Sequence, residues 1–516
     1  MRLLLLLLLT LSLFQFGNAQ NQVPQIENVQ TSYSDNILNL SFDVIDAEND
    51  LVDITFSAGD DGDLELNLDV SNATGDLGTN LTPGAGKSIS WDFSNYSGFA
   101  PDFRIMITVD DNQPVDFQAL ANEIDSQELL NFLTAIEGIR HRNTGATQLS
   151  SVQNLIRSEF ESSGLETTTQ IFGFGGYTAE NIIGRMIGTA DMTNCVIIDA
   201  HYDSVFDSPG ADDNASGVSG VLESLRVLSG YSFDKSIKFI GFDLEEDGLA
   251  GSNHYALNLN PSETTVAVLN YEMIGYYSNQ PNSQTIPPGF GTIFPAQVSQ
   301  INANNNRGDF IAVSADLNST AISAAFQNAA AYYVPGLTSY ALDIPVNSTL
   351  VPDLRRSDHA SFWDVGIPAI MISDGANFRN PFYHEPEDTI GSLDTTFMAQ
   401  VVRATTITAA QLAGIRHAAT YWEDVGLMNS ARSPQKCQFQ LSPNPTKEYF
   451  RLFSNECAMT DLTITIRDVN GRMIKELQIN GSDQEIVADI SDLVPGFYSV
   501  QISSSNFDTT EKLIVQ

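Results

Sequence analysis

The fold class of this chain is decided by residues 195–217, CVIIDAHYDSVFDSPGADDNASG. The stretch opens with a short apolar run, Cys195–Ala200, which predicts a buried strand. His201 and Asp203 follow that run, and a loop rich in Gly, Asp and Asn leads from them into a helix predicted over 216–228. A buried strand, a polar loop and a helix in succession are typical of an α/β sheet that is covered on both faces.

The same alternation of strand and helix patterns continues toward residue 417. Helical periodicity is present over 129–139, 152–160, 249–257 and 395–417, and strand-like runs over 237–244, 266–271 and 369–373. The segment 279–306 is rich in Pro, Asn, Gln and Gly, and we expect a long loop there, either a substrate lid or an insertion. We predict an α/β fold with a mixed central sheet and helices on both faces.

All-β patterns flank this region on both sides. Short alternating runs separated by Gly- and Asp-rich turns predict a small Ig-like sandwich before it, and a second β-patterned segment follows a linker over 429–435. The expected organisation is a signal peptide over 1–19, a β-sandwich over 20–113, the α/β domain over 118–425 and a C-terminal β-sandwich over 439–516.

Composition limits the classes of partner. The chain has 516 residues, with 64 Asp and Glu against 24 Lys and Arg, and a formal charge of −40. Such a surface repels phosphate backbones and anionic lipid, so we expect no nucleic-acid binding. Arg2, the apolar run 3–14 and the small residues 17–19 have the pattern of a signal peptide. No later apolar run is long enough to span a bilayer, so we expect a soluble mature protein that does not span a membrane, and the signal peptide implies that it is exported.

Two further features concern cysteines and calcium. Cys437 and Cys457 are close enough in sequence to pair in an oxidising compartment, whereas Cys195 is expected to be a buried, inert thiol. The acidic stretch 46–50, DAEND, suits either a Ca²⁺ loop or an ordinary turn, and the turn is favoured.

The residues that carry chemistry follow the predicted strands at their carboxyl ends, where open α/β sheets form ligand sites. They are two histidines and three carboxylates, His201, Asp213, Glu246, Glu272 and His384. A lone histidine in such a place is usually structural, but this conjunction is hard to obtain by chance. Imidazole and carboxylate both bind zinc, and two zinc ions that share one carboxylate need five ligands. We therefore predict a site for two Zn²⁺ ions.

Six segments resemble, in order, the motifs of metallopeptidase family 28, the co-catalytic dizinc peptidases. They are residues 201–204, 210–217, 242–252, 270–275, 357–363 and 383–389. The resemblance covers about residues 118–420, and its order makes it specific although each segment is weak alone. The family includes secreted bacterial aminopeptidases and glutamate carboxypeptidases. The resemblance implies a secreted zinc exopeptidase that acts on peptide or protein substrates, and an aminopeptidase is favoured.

The resemblance also implies a role for each ligand. Asp213 would bridge the two metals, His201 and Glu272 would complete one site, and Glu246 and His384 the other. Glu272 is a departure, because the family usually has Asp at that position. Its additional methylene changes the reach of the carboxylate, and we expect the site to survive the change.

The remaining assignments concern catalysis. Glu245 matches the family's general base, which takes a proton from water and passes it to the leaving amine. Asp203 matches the carboxylate that fixes the tautomer of the zinc-bound histidine. Tyr383 is placed either to donate a hydrogen bond to the oxyanion or simply to pack. Arg355 or Arg356 could meet a charged group of the substrate, although a surface salt bridge is slightly preferred.

Other functions fit the sequence less well. Gly217-Val218-Ser219-Gly220 lacks the nucleophile elbow of a serine hydrolase, and Ser219 falls within a predicted helix. Carboxypeptidase and glutaminyl cyclase chemistry remain possible on the same fold, although a cyclase needs only one zinc. A binding or adhesion protein with a degenerate site is the non-enzyme alternative, but no ligand or base is missing.

The C-terminal segment resembles the sorting domain of the type IX secretion system. The resemblance rests on residues 442–446, 468–472, 492–498 and 512–515, and covers about the last 78 residues. It implies export by the signal peptide across the inner membrane, followed by passage of the outer membrane through the secretion machinery. An appended carbohydrate-binding sandwich is the alternative.

Overall fold

The computed structural model describes most of the chain after residue 20. The described residues are 21–34, 36–60, 64–94, 102–345, 348–426, 440–442, 444, 446–447, 449–453, 460–467, 473–482, 486–491, 493–504 and 507–515. The expected signal peptide, the linker over 429–435, Cys437 and Cys457 lie outside these residues. Within them, no helix has the length and apolarity that a membrane crossing requires.

The N-terminal region consists of β-strands, and along one of them, Ile37–Ile45, exposed and buried side chains alternate. The strands are β1 (Gln25–Ser34), β2 (Ile37–Ile45), β3 (Val52–Asp60), β4 (Thr74–Gly75), β5 (Gly78–Leu81), β6 (Gly84–Asp92) and β7 (Asp102–Asp110). One sheet has the order β1-β2-β6-β4, and β7, β3 and β5 are neighbours in a second.

The α/β region follows, and its elements alternate between helices and strands. The helices are α1 (Phe117–Glu123), α2 (Ser126–Ile136), α3 (Ala146–Ser162), α4 (Gly217–Leu228), α5 (Ala250–Leu257), α6 (Phe290–Ile293), α7 (Pro295–Ala303), α8 (Thr320–Tyr333), α9 (His359–Asp364) and α10 (Thr395–Ala413). The strands are β8 (Glu166–Phe174), β9 (Tyr177–Met186), β10 (Asp191–His201), β11 (Ser232–Phe233), β12 (Lys235–Phe242), β13 (Thr264–Tyr271), β14 (Ile311–Ala315), β15 (Ser339–Asp343), β16 (Ala369–Ser373), β17 (Ile415–Arg416) and β18 (Ala418–Gly426).

Eight of these strands form one mixed sheet, in the order β15-β14-β16-β13-β10-β12-β9-β8. The central strands β12, β10, β13 and β16 are parallel, whereas β9 and β14 run antiparallel to their neighbours β12 and β16. Alternate residues of β10 enter two separate cores, Val196 and Ile198 on one face and Cys195 and Ile197 on the other. This confirms the predicted α/β class with a mixed sheet covered on both faces.

Two parts of this region differ from the expectation. The segment 279–306 contains helices α6 and α7, and Pro295 begins α7 at a position where proline's missing N–H costs no hydrogen bond. Strand β18 pairs with β7 in the second N-terminal sheet and not with the central sheet. Residues 418–425, which we assigned from the sequence to the α/β domain, therefore complete a sheet that begins before that domain.

The C-terminal region is a separate β structure with its own apolar core. Its strands are β19 (Gln440–Ser442), β20 (Tyr449–Phe453), β21 (Thr460–Arg467), β22 (Met473–Ser482), β23 (Ile486–Asp489), β24 (Gly496–Ser504) and β25 (Phe507–Val515). They form sheets of order β19-β20-β23 and β22-β21-β24-β25. β-Sheet structure thus lies at both ends of the chain, as predicted.

Candidate metal centre

The predicted ligands lie at or after the carboxyl ends of the parallel strands, at one edge of the central sheet. His201 is the last residue of β10, Glu272 directly follows β13, and Glu246 lies four residues after β12. Asp213 lies in the turn that precedes α4, where its own backbone is not helical, and its peptide bond to Asn214 is cis. Since the carboxyl ends of parallel strands meet at one edge, residues far apart in sequence converge there.

The chain turns sharply at three points of this edge. Leu244, Met273 and His384 have left-handed φ angles of 57°, 52° and 62°. Such angles are uncommon for residues other than glycine, and they cluster at functional sites where the surrounding structure over-determines them. These positions are His384 itself, the residue after Glu272 and the residue two before Glu246.

The five predicted ligands form two groups that share Asp213. The Nε2 atom of His201 lies 3.3 Å from Asp213 Oδ1 and 3.4 Å from Glu272 Oε2. The Nε2 atom of His384 lies 3.2 Å from Asp213 Oδ2 and 3.3 Å from Glu246 Oε2. Asp213 therefore faces each histidine with a different oxygen of the same carboxylate.

These separations fit the donor set of zinc. Zinc lies about 2.0–2.2 Å from imidazole nitrogen and carboxylate oxygen, so two donors on a tetrahedral ion are about 3.3–3.6 Å apart. The measured separations of 3.2–3.4 Å are close to that range. The Nε2 atoms of His201 and His384 and the Oε1 atom of Glu246 are buried without a hydrogen-bond partner. Buried polar atoms usually have a hydrogen-bond partner. These nitrogen and oxygen atoms therefore remain available to bind a cation.

Burial makes the cluster unfavourable without a cation. It raises the pKa of Glu245 well above its ordinary range. Burial and the charge of Asp213 raise the pKa of Glu246 to about 7. Although burial opposes the change, Asp213 and Glu246 raise the pKa of His384 to about 10. Several carboxylates thus crowd into a buried space, and a bound cation would offset their mutual repulsion.

Glu245 lies beside the ligands, but its carboxylate is farther from His201 than the carboxylates of Asp213 and Glu272 are. Its Oε2 atom is 4.0 Å from Nε2 of His201, compared with 3.3 Å for Asp213 and 3.4 Å for Glu272. Among the described residues, two groups bring three metal-binding side chains within 4.8 Å of one another, one with His201, Glu245 and Glu272 and one with Asp213, Glu246 and His384. By distance alone Glu245 could be a ligand, so its role needs a test that separates metal binding from turnover.

Asp203 connects His201 to the segment that carries Glu245 and Glu246. Its Oδ1 atom lies 3.3 Å from Nδ1 of His201. The same carboxylate accepts hydrogen bonds from the backbone N–H groups of Glu245 at 3.1 Å and Glu246 at 3.3 Å. One buried carboxylate therefore lies against the imidazole of His201 and holds the backbone of the two glutamates in place.

Further residues support the ligands, and we did not single them out from the sequence. Ser357 donates to Oε2 of Glu272 at 2.8 Å, and Asp388 accepts from the N–H of Asp213 at 3.1 Å. Ser357 and Asp388 do fall within the quoted segments 357–363 and 383–389, so position was an available signal. Arg140 is fully buried and donates to several backbone carbonyls of the loop that carries Asp213. Nothing in the apolar periodicity around Arg140 marks it as buried.

Tyr383, Arg355 and Arg356 make different contacts. The ring of Tyr383 stacks on that of His384, with centroids 3.8 Å apart and planes at 20°. Arg356 donates to the Tyr383 hydroxyl at 2.8 Å. Arg355 forms an ion pair with Asp364 at 2.5 Å, which is the surface salt bridge weighed from the sequence.

A mostly apolar cavity of about 90 Å³ adjoins the centre. Glu272, Arg356 and Tyr383 line it on the metal side. The apolar lining includes Ile286, Phe290, Val298, Ile301, Phe310 and Met371. Four of these six residues come from the segment 279–306, so that segment forms part of the cavity wall.

The structure also bears on alternatives raised from the sequence. Ser219 is buried within α4 and donates to the carbonyl of Ala215, so it is not exposed as a nucleophile. Asp46 accepts the N–H of Asp50, which closes the acidic stretch 46–50 as a turn. This stretch is not among the described groups that bring three metal-binding side chains together, and the calcium possibility has no support. Cys195 is buried, as expected.

Residues 181–408 match the sequence profile of Peptidase family M28, and residues 440–516 match that of a secretion system C-terminal sorting domain. The uncharacterized protein YfbL of Escherichia coli is 36% identical over 263 residues, which cover 48% of this chain and 75% of that protein. Aminopeptidase YwaD of Bacillus subtilis is 30% identical over 235 residues, which cover 44% of this chain and 43% of that protein.

Solved structures show likeness over part of the chain. The zinc aminopeptidase BSAP of Bacillus subtilis is 27% identical, with a TM-score of 0.36, and the match covers 47% of this chain and 52% of that one. The chain thus spans three quarters of the E. coli relative and about half or less of the two Bacillus proteins.

Proposed function

Because the chain belongs to peptidase family M28, we propose that it is a secreted dizinc aminopeptidase that releases N-terminal residues from peptides. The observation that carries this proposal is the Asp213 carboxylate, which faces His201 with one oxygen and His384 with the other, at 3.3 and 3.2 Å. A carboxylate in that position suits a bridge between two metal ions.

Five side chains would hold the two ions. His201 and Glu272 complete one position with Asp213, and Glu246 and His384 complete the other. Each position then has three protein ligands, which leaves room for water or substrate, as in catalytic zinc sites. Zinc bound there would polarise the scissile carbonyl and lower the pKa of water toward about 7.

The protein's own groups would move the protons. Glu245 has its carboxylate beside the His201 position and is the base that takes a proton from water and returns it to the leaving amine. Asp203 holds the backbone N–H of Glu245 and so sets its position. Tyr383 lies against His384 and lines the cavity, where its hydroxyl can donate to the developing oxyanion.

Two features favour the amino-terminal end of the substrate. The adjoining apolar cavity would receive the side chain of the first residue. The relative YwaD is named an aminopeptidase, which agrees with this direction.

The proposal is tested with dipeptides that are free, amine-blocked or carboxyl-blocked, each with an apolar or a charged first residue. We expect cleavage of the free and carboxyl-blocked peptides, loss of cleavage on blocking the amine, and a preference for apolar first residues of about 10-fold or more. Cleavage that instead requires a free carboxylate would make the protein a carboxypeptidase. Cyclisation of N-terminal glutamine without hydrolysis would make it a cyclase.

The proposed export route uses both ends of the chain. Residues 440–516 match a sorting domain, which indicates a secreted or cell-surface protein. We assign residues 1–19 to a signal peptide for the inner membrane and 20–113 to a β-sandwich. We assign 118–425, whose last strand β18 pairs with β7, to catalysis, and 439–516 to recognition by the type IX machinery.

A further inference from the structure

Arg356 differs from its neighbour Arg355 in what it contacts. Its Nη2 atom donates to the hydroxyl oxygen of Tyr383 at 2.8 Å, and its Nη1 atom donates to Oδ1 of Asn377 at 2.8 Å. Within the described residues it forms no ion pair, whereas its neighbour Arg355 is paired with Asp364. The guanidinium is therefore held by two neutral groups, and one of them is the phenol beside the metal ligands.

The chemistry of the guanidinium fixes the direction of this hydrogen bond. Arginine has donors and no acceptor, so the Tyr383 oxygen accepts from Arg356. The phenol must then point its own hydrogen elsewhere. Within the described part of the chain, the bond from Arg356 is the one hydrogen bond that its oxygen makes.

The cavity beside the metal ligands is open to that hydrogen. The Tyr383 ring is stacked on His384, and Tyr383, Arg356 and Glu272 line the same cavity. We propose that Arg356 is a positioning residue that holds Tyr383 as a hydrogen-bond donor toward the reacting carbonyl. This inference rests on the proposed peptidase function and assigns a role that the ligand set alone does not require.

The test is a double-mutant cycle of Arg356→Met and Tyr383→Phe, assayed on a leucine amide that carries no carboxylate. We expect Tyr383→Phe to lower kcat by about 10²-fold, within the range for removal of an oxyanion donor, with little change in KM. Arg356→Met should lower kcat by about 10-fold or more. If the two residues act as one unit, the kcat of the double variant should equal that of Tyr383→Phe within about twofold.

Three controls keep the outcome interpretable. Arg355→Met removes an adjacent guanidinium that contacts Asp364, and it should leave kcat within about twofold of the wild type. Arg356→Lys keeps a charged donor and should recover part of the loss. Zinc content and melting temperature, measured for every variant, identify losses that come from metal or folding.

Several results would overturn the inference. Multiplicative losses in the double variant would show that Arg356 acts independently of Tyr383. A loss that appears only with carboxylate-bearing substrates would show that Arg356 binds the substrate directly. An unchanged kcat in Tyr383→Phe would remove the role that Arg356 is proposed to support. Wild-type protein that binds two zinc ions yet cleaves no peptide would instead refute the proposed function, and the inference with it.

Discussion

Glu245→Gln is expected to lower kcat at least about 10³-fold while both zinc ions stay bound. The carboxamide is nearly the same size as the carboxylate but cannot accept a proton from water, and general-base catalysis contributes about 10²–10⁴-fold. Both ions should remain because the five proposed ligands are unchanged. The measurement is kcat on a leucine-first peptide together with zinc content per chain.

Glu246→Gln is the matched comparison, since it makes the same chemical change at the adjacent residue. Its carboxylate lies 3.3 Å from Nε2 of His384, so this variant should lose one ion or bind it more weakly. If Glu245→Gln loses zinc instead, Glu245 is a ligand, which its 4.0 Å distance from His201 makes a real alternative. Unchanged turnover would remove it from the mechanism.

Asp213→Ala is expected to affect both metal positions at once. Each position would keep only two protein ligands, His201 with Glu272 and Glu246 with His384. We expect less than one zinc per chain after dialysis and a loss of activity of at least about 10³-fold. Asp207→Ala, which removes an exposed carboxylate from the same loop, should keep both ions and full activity. An Asp213→Ala protein that still binds two zinc ions would contradict the bridging role.

The parallel part of the fold could be predicted because its strands are buried on both faces. Such strands are short, continuous apolar runs that are followed by polar residues. The predicted runs over 195–200, 237–244, 266–271 and 369–373 overlap β10, β12, β13 and β16. The convergence of His201, Asp213 and Glu272 follows from that arrangement.

Other elements were missed, for identifiable reasons. The hairpin of β8 and β9 carries Gly175-Gly176 at its turn and Thr-rich flanks, a signal that was present but not used. Strands β14 and β15 are short and α8 is rich in alanine, so none of these three elements has a strong periodic pattern of apolar residues. The pairing of β18 with β7 joins segments about 300 residues apart, which local pattern cannot show.

The metal ligands could be predicted from the sequence, whereas the residues that hydrogen-bond to the site could not. Ligand types and order are visible in the sequence, whereas the bonds from Ser357 to Glu272 and from Arg356 to Tyr383 depend on loop conformations. Arg140 is the clearest case, because a charged residue inside the fold is explained only by the carbonyls that surround it.

The central claim is that the chain hydrolyses peptides with two zinc ions that share Asp213. The most direct measurement is a zinc titration of the metal-free protein, with bound zinc and leucine-first peptide hydrolysis followed in the same samples. Saturation at two ions per chain, with full activity only after the second ion binds, is the predicted result. Full activity with a single ion, or hydrolysis in the metal-free protein, would contradict the account.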